Sequence, residues 1–196
     1  LRNFLTGLRD DIIVVVDEAY YEYAIDLSDD YPDSTQLDFP NLITLRTFSK
    51  AYGIAGIRIG YGIGPEELIE PLMKVKLTFE PSNLAQAAGI GALKDAAFLQ
   101  KSVEQNTQGI HYFYREFERL GLSFFPSAGN FVMIDFGTPE RVQEIYLALM
   151  KKGVFVRPLT AFRLPHCLRI TVGLTHENEF CVRVLEQALE EIKAAV

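Results

Sequence analysis

The sequence predicts an α/β protein, with part of a mostly parallel sheet in the N-terminal half and a small α+β unit after it. Two observations lead to this prediction. Apolar β-branched runs alternate with long connections in the first part of the chain, which is typical of α/β architecture. Beyond Leu84, helical apolar spacing and short strands prevail. We therefore expect a partial large domain over residues 1–93 and a small C-terminal domain over residues 94–196.

In the N-terminal half, the apolar runs at residues 12–16 and 42–45 predict buried strands, and residues 57–63 predict a glycine-rich third strand. Residues 28–40 are polar and contain two prolines, which is typical of a surface loop. Residues 66–76 have helical composition, and we expect Pro71 to kink or split that helix.

The C-terminal half predicts alternating helices and strands. A small-residue helix from Leu84 precedes a longer helix that ends at Gly121. A helix capped by Thr138 and a last helix after Thr175 follow. The predicted strands of this half lie at residues 122–125, 131–136, 154–156 and 168–172.

Composition excludes several classes of function. The 196 residues include 19 basic and 26 acidic side chains, giving a net charge of −7, which argues against a nucleic-acid partner. No apolar stretch approaches the roughly 20 residues of a membrane span. Two cysteines without CxxC spacing, Cys167 and Cys181, indicate reduced thiols, and we expect a cytoplasmic protein. The absence of an initiating Met suggests a fragment.

Asp17 is the first candidate site residue, because ligands of α/β sheets bind at the carboxyl ends of strands and Asp17 follows such a strand. A carboxylate there can neutralise a cationic ligand group, and Tyr20 can point a phenol at the same place. A helix cap or a loop acid is an equally good interpretation of Asp17.

The second candidate is the segment around Lys50, which also follows a predicted strand. Hydroxyls of Thr47 and Ser49 together with Arg58 are suitable groups for binding a phosphate monoester. A lysine beside them can form a Schiff base with an aldehyde cofactor. The alternative is an ordinary solvated loop lysine.

Arg169 is the third candidate, because a charge inside an apolar strand is costly unless a protein acid or a ligand anion pairs with it. Arg157 is a weaker example at a strand end. The motifs of nucleophile-elbow hydrolases, P-loop enzymes and Rossmann dehydrogenases are absent. His166 adjoins Cys167, but the other histidines are isolated, so we expect no metal site.

Three segments resemble fold type I pyridoxal-phosphate aminotransferases, most closely the histidinol-phosphate aminotransferase family. They are residues 16–20 (VDEAY), 47–61 (TFSKAYGIAGIRIGY) and 167–173 (CLRITVG). Residues 83–88 and 127–131 look like further family segments. The resemblance implies the C-terminal portion of such an enzyme, with the glycine-rich phosphate turn and the aromatic residue stacked on the cofactor outside this sequence.

The resemblance also implies roles in binding pyridoxal 5′-phosphate. Lys50 would hold the cofactor as a Schiff base and shuttle the proton between the substrate and the cofactor. Asp17 would pair with the pyridinium nitrogen and keep it protonated. Tyr20 would hydrogen-bond the phenolic oxygen of the ring.

For the phosphate and the substrate, the resemblance implies a further set of residues. Ser49 and Arg58, with Thr47, would hold the cofactor phosphate. Arg169 would bind the substrate anion, and Arg157 would add a second anion contact.

The implied reaction is amino transfer between histidinol phosphate, or a similar amine, and 2-oxoglutarate, which yields imidazole acetol phosphate and glutamate. A phospho-amino-acid decarboxylase of the threonine-phosphate type and a catalytically silent truncated fragment are the alternatives. The resemblance further implies a homodimer.

Overall fold

The computed structural model describes residues 1–194, and the chain divides into two compact units, Leu1–Val103 and Glu104–Val196. In chain order the helices and strands are α1 (Arg2–Thr6), β1 (Val14–Asp17), α2 (Tyr21–Leu27), β2 (Leu42–Thr47), β3 (Gly60–Ile63), α3 (Glu66–Val75), α4 (Asn83–Lys94), α5 (Ala96–Arg119), β4 (Ser123–Phe125), β5 (Phe131–Asp135), α6 (Pro139–Lys151), β6 (Arg157–Leu159), β7 (Leu164–Thr171) and α7 (Thr175–Ala194). The division between the units falls inside α5. The domain boundary at residues 93–94 stays a prediction.

The first unit contains a three-stranded sheet in the order β1-β2-β3. β1 pairs with β2 in parallel, with Asp17 opposite Leu45, and β3 pairs with β2 in the antiparallel sense. The parallel pair brings the carboxyl ends of β1 and β2 to the same edge of the sheet. Residues that follow these two strands are therefore neighbours in space.

The second unit contains a four-stranded antiparallel sheet in the order β4-β5-β7-β6, with helices packed on it. Its core is formed by fully buried apolar side chains of α5, the sheet, α6 and α7: Ile110, Phe113, Phe117, Val132, Ile134, Ile145, Leu149, Leu168 and Leu185. The rings of Phe113 and Phe117, one turn apart on α5, stack with their centroids 5.3 Å apart. The hydrophobic side of α5 thus fixes the helix on this unit.

The structure confirms the predicted helix cap at Thr138, whose hydroxyl accepts a hydrogen bond from the Arg141 backbone N–H at 3.2 Å. Gly121 and Gly153 have positive φ angles after α5 and α6, as the predicted helix ends require.

Several local predictions differ from the structure. Residues 154–156 are not a strand; the strand β6 begins at Arg157, because pairing with β7 rather than the apolar run decides where the strand lies. α3 continues through Pro71, so the helix is not split. Ile13 and Val15 are more than half exposed, because β1 is an edge strand here and its apolar faces are only partly covered.

Among residues 1–194, no helix combines the length and the apolar composition that crossing a membrane requires.

Candidate active site

The carboxylate of Asp17 lies at the carboxyl end of β1, at the sheet edge that β1 and β2 share. The side chain is exposed, and its Oδ1 accepts a hydrogen bond from the Ala19 backbone N–H at 3.0 Å. This bond orients the carboxylate at the strand end. An oriented, exposed carboxylate is available to a cationic ligand group.

The structure brings Lys50 and Tyr20 together from the two strand ends. The Lys50 ammonium nitrogen lies 4.9 Å from the centroid of the Tyr20 ring, within the range of a cation–π contact. Phe48 and Ala51 on either side of the lysine are buried, and the Phe48 ring contacts the Tyr52 ring at 4.9 Å between centroids. The loop that carries Lys50 is therefore anchored by its apolar residues, while the amine faces the end of β1.

Thr47 and Ser49 form a tight turn between β2 and Lys50. The Thr47 hydroxyl accepts a hydrogen bond from the Ser49 backbone N–H at 3.1 Å and donates one to the Ile59 carbonyl at 3.4 Å. Side-chain oxygens of this kind commonly hold such turns. The Thr47 hydroxyl thus fixes the turn, and its part in holding a phosphate stays a prediction.

Arg58 has a left-handed backbone conformation, with φ 60°, and its guanidinium donates a hydrogen bond to the Ala55 carbonyl at 2.8 Å. It lines an open cleft of about 570 Å³ together with Lys76 and Ser82. Within the described residues, no hydrogen bond joins Arg58 to the hydroxyls of Thr47 and Ser49. Lys76 was not singled out from the sequence, because nothing in its local pattern distinguishes it from a surface lysine.

A buried ion pair that was not predicted from the sequence supports the two strand ends. Glu18, which follows Asp17, is 1% exposed, and its Oε2 accepts hydrogen bonds from Nε and Nη2 of Arg46 at 3.0 and 2.8 Å. Its Oε1 accepts a hydrogen bond from the Ser34 backbone N–H at 2.8 Å. The pair joins Glu18, the residue directly after β1, to Arg46 on β2. It therefore fixes the position of the end of β1 relative to the end of β2.

Arg46 makes two further contacts. Its Nη2 donates to Asp33 Oδ1 at 2.7 Å, and its guanidinium carbon lies 3.5 Å from the centroid of the Tyr21 ring. Burial alone would lower the pKa of Arg46, but hydrogen bonds to Glu18 and the negative charges of Glu18 and Asp33 raise it above its usual value. The guanidinium is therefore firmly cationic. A charged residue in strand β2 was the available sequence signal, the same signal that identified Arg169.

Glu22 on α2 is a buried carboxyl group beside this network. Its Oε2 has no hydrogen-bond partner among the described residues, and burial raises the pKa of Glu22 above its ordinary value. The positive charge of Arg46 offsets part of this rise.

In the second unit, Arg157 on β6 pairs directly with Arg169 on β7. The Arg169 guanidinium carbon lies 4.8 Å from the centroid of the Phe131 ring, and that of Arg157 lies 5.2 Å from the centroid of the Phe162 ring. The Nε atom of Arg169 is buried and has no hydrogen-bond partner in the part of the chain that the structure describes. No carboxylate of residues 1–194 forms an ion pair with either arginine.

Arg169 also lines a pocket of about 250 Å³ in this unit. The other lining residues are mostly apolar: Phe125, Pro126, Ser127, Phe131, Met133, Leu159, Phe162 and Leu164. A guanidinium on an apolar wall, with an unpartnered N–H, is suited to a ligand anion.

The fold also gathers Asp135, His166 and Cys167, whose potential ligand atoms all lie within 4.8 Å of one another. His166 and Cys167 are adjacent in the sequence, whereas Asp135 is far away from them in the chain and gives no local signal. Both cysteines are free and buried, as predicted. Burial, and then the charge of Asp135, raises the pKa of the Cys167 thiol, and burial raises that of Cys181 to about 12.

The sequence and the fold of the chain match those of known proteins. The sequence profile of the family "Aminotransferase class I and II" matches residues 4–185, and the chain belongs to this family. Its α/β architecture is that of part of a fold type I aminotransferase, as the sequence predicted.

Two relatives with similar sequences are histidinol-phosphate aminotransferases. Histidinol-phosphate aminotransferase of Geobacillus sp. (strain WCH70) is 44% identical over 193 residues, which are 97% of this chain and 52% of the relative. The enzyme of the same name from Bacillus subtilis (strain 168) is 44% identical over 191 residues, 96% of this chain and 52% of the relative. The chain therefore spans about half the length of these relatives.

A solved structure has the same fold. The crystal structure of histidinol-phosphate aminotransferase from Sinorhizobium meliloti, in complex with pyridoxal-5'-phosphate, superposes with a TM-score of 0.87 at 32% identity. The match covers 97% of this chain and 52% of the other.

Proposed function

We propose that the full-length protein is a pyridoxal-phosphate-dependent aminotransferase that transfers an amino group between histidinol phosphate and 2-oxoglutarate, giving imidazole acetol phosphate and glutamate. The observation that carries the proposal is the Lys50 amine beside Tyr20, at the sheet edge where Asp17 ends its strand. The histidinol-phosphate aminotransferases at 44% identity support the choice of substrate.

The groups at this edge fit pyridoxal 5′-phosphate. The cofactor has an aldehyde, a basic ring nitrogen, a phenolic oxygen and a phosphate, and the chain offers an amine, a carboxylate, a phenol and a hydroxyl–guanidinium set. When bound, the cofactor accepts electrons from the substrate's α-carbon. Lys50 would bind its aldehyde, Asp17 its ring N–H and Tyr20 its phenolic oxygen. Thr47, Ser49 and Arg58 would hold its phosphate.

Lys50 is also the group that moves the proton. The Lys50 Nζ would accept the proton from the substrate α-carbon and would return it to carbon C4′ of the cofactor. Asp17 would support this transfer, because its negative charge would keep the ring nitrogen of the cofactor protonated. The ion pair of Glu18 and Arg46 keeps the strand ends that carry Asp17 and Lys50 in register.

Arg169 and Arg157 bind the substrate's anionic group in this proposal. Arg157 and Arg169 occupy opposite positions on neighbouring strands, and no carboxylate of residues 1–194 forms an ion pair with them, which favours a ligand anion at this place. The same site receives the carboxylate of glutamate in one half-reaction and the phosphate of histidinol phosphate in the other. The apolar pocket beside Arg169 accommodates the remainder of the substrate.

Assembly and location are part of the proposal. Large apolar side chains of the first unit are exposed, among them Val75, Leu77 and Phe79, and such surface favours association with further protein. We expect a homodimer. The two free cysteines favour a reducing compartment, and we place the protein in the cytoplasm.

Borohydride reduction of the full-length protein with added pyridoxal phosphate, followed by peptide mass mapping, tests the role of Lys50. A single pyridoxyl adduct on Lys50 is the expected result. Lys50→Arg should lose the adduct, whereas the control Lys94→Arg, at an exposed position on α4, should keep it. Adducts scattered over surface lysines would contradict the proposal.

Assays of the same preparation identify the reaction. Glutamate consumption with formation of histidinol phosphate from imidazole acetol phosphate is expected, and it should be lost in Lys50→Arg. Release of carbon dioxide from a phospho-amino acid without amino transfer would instead assign the decarboxylase alternative. A Lys50 adduct without either reaction would mean that the cofactor site is correct and the substrate is wrong.

A further inference from the structure

Asp135, His166 and Cys167 form a cluster of three different metal-binding side chains in the second unit, separate from the residues assigned above. Asp135 ends β5, and the antiparallel register places it directly opposite Cys167 on β7. The carboxylate, imidazole and thiol ligand atoms all lie within 4.8 Å of one another. We propose that this cluster is a Zn²⁺ site formed by Asp135, His166 and Cys167.

A bulge in β7 explains how two consecutive residues of that strand can both bind one metal ion. Successive side chains of a regular strand point to opposite faces of the sheet. The register with β6 passes from Pro158 opposite Leu168 to Leu159 opposite Leu164, which leaves residues 165–167 without partners on β6. Bulges of this kind redirect side chains. His166 and Cys167 can therefore both lie beside Asp135.

Backbone hydrogen bonds on β5 and just after it hold the backbone around the cluster in place. The Phe136 backbone N–H donates to the His166 carbonyl at 3.0 Å, so β5 and β7 remain joined at the bulge. Asp135 Oδ1 accepts a hydrogen bond from the Gly137 backbone N–H at 2.8 Å. A hydrogen bond to a carboxylate ligand is the usual way in which a metal site orients that ligand. The carboxylate is thus oriented before any metal binds.

The set of ligands favours zinc. Zn²⁺ binds thiolate, imidazole and carboxylate together, at about 2.0–2.3 Å, in tetrahedral sites whose ligand atoms are about 3.5 Å apart. Since the ligand atoms lie within 4.8 Å of one another, each separation needs to shorten by at most about 1.3 Å to reach that geometry. The carboxylate and the thiolate would balance the charge of the ion. Because Asp135 and His166 are half-buried while Cys167 is buried, the ion would enter from the solvent side and keep water as its fourth ligand.

Titration of the metal-free protein with Zn²⁺, followed by calorimetry and by elemental analysis after dialysis, tests the site. One bound Zn²⁺ per chain is expected. His166→Asn and Asp135→Asn should each weaken binding at least about 10–100-fold, since even the loss of an outer hydrogen-bond partner has that effect. The matched controls His111→Asn, at an exposed position of α5, and Cys181→Ser should retain full binding.

Substitution with Co²⁺ provides a second readout that depends on the thiolate. A sulfur-to-cobalt charge-transfer band is expected in the unaltered protein and in Cys181→Ser, and it should be lost in Cys167→Ser. Circular dichroism of each variant establishes that it is folded. If Zn²⁺ fails to bind, or if folded His166→Asn and Asp135→Asn bind it as tightly as the unaltered protein, the site does not exist.

Discussion

Arg157 and Arg169 lie directly opposite each other on the antiparallel strands β6 and β7, although both side chains are cationic. Like charges in such cross-strand positions are destabilising. Each guanidinium instead lies near an aromatic ring, Phe162 for Arg157 and Phe131 for Arg169. Within residues 1–194 no carboxylate forms an ion pair with either arginine, and this is the arrangement from which we propose that an anion binds there.

Replacement of Arg169 tests this interpretation. Arg169→Met in the full-length enzyme should raise KM for the phosphorylated substrate about 10–100-fold, because charge-assisted hydrogen bonds contribute about 1.5–3 kcal/mol. The free energy of unfolding should stay the same or increase, since two cations no longer face each other. Steady-state kinetics and urea denaturation measure the two effects. Arg183→Met, at an exposed position on α7, is the control and should change neither. An unchanged KM for Arg169→Met would contradict the anion-binding role.

The buried pair of Glu18 and Arg46 should matter far more for stability than a surface pair. Arg46→Met leaves the carboxylate of Glu18, which is 1% exposed, without its cation and should lower the free energy of unfolding by about 3–5 kcal/mol. Lys152→Met breaks the exposed pair of Lys152 and Glu191 and should cost at most about 1 kcal/mol. Denaturant titration followed by circular dichroism compares them. Equal losses in the two variants would mean that the Glu18–Arg46 pair does not hold the strand ends.

The buried carboxyl of Glu22 should make stability depend on pH. Its pKa is raised in the folded protein by burial, so the unfolded chain ionises first as the pH rises. The neutral, buried carboxyl of Glu22 contributes fully to the stability of the folded protein below its ordinary pKa, near 4.5. This contribution is lost as the pH rises through the raised pKa of the folded protein. Glu22→Gln should therefore be more stable than the unaltered protein at pH 7, and the difference should shrink below pH 4.5.

Unfolding free energies measured between pH 4 and pH 8 check this dependence. Glu144→Gln, which removes an exposed carboxyl from α6, is the matched control and should show no comparable change with pH. If the unfolding free energies of Glu22→Gln and the unaltered protein differ by the same amount at every pH, burial does not raise the pKa of Glu22, and the prediction is wrong.

Much of the fold was predictable because local patterns and tertiary packing agree. The helix that begins after Thr138 has its cap, its proline and its apolar face in sequence, and all three are present in the structure. The strand expected at residues 154–156 was wrong because its apolar run satisfies strand propensity but not the pairing with β7. Strand pairing is a non-local property, so no window of sequence contains it.

The same difference between local and non-local properties applies to the candidate site residues. Asp17 and Lys50 were predicted as site residues because Asp17 lies at the end of β1 and Lys50 lies just beyond the end of β2, where ligands bind in α/β sheets, and their roles stay predictions. Glu18 was not identified, because its importance comes from Arg46 and Ser34, which lie elsewhere in the chain. Asp135 was missed for the same reason, since only the register of β5 and β7 brings it to Cys167.

Two helical glycines should respond in opposite directions to the same substitution. Gly109 on α5 lies against Val172, the residue after β7, and against α7. A methyl group there would overlap Val172 Cγ1 and lie 3.0 Å from the Asn178 side-chain nitrogen. Asn178 is buried, and its Oδ1 accepts a hydrogen bond from the Gly173 backbone N–H at 2.8 Å, so it cannot move away freely. Gly109→Ala should therefore lower the free energy of unfolding by about 1–3 kcal/mol.

Gly91 on α4 is the matched position, because among residues 1–194 a methyl group there would meet no atom within 4 Å apart from its chain neighbours and the backbone of its own helix. Gly91→Ala should raise stability by up to about 1 kcal/mol, since alanine loses less conformational freedom than glycine when a helix forms. Thermal unfolding of both variants by calorimetry measures the difference. If Gly109→Ala were as stable as Gly91→Ala, the close contact of α5 with Val172 and Asn178 would not limit the size of the residue at position 109. Packing would then not explain why position 109 is a glycine.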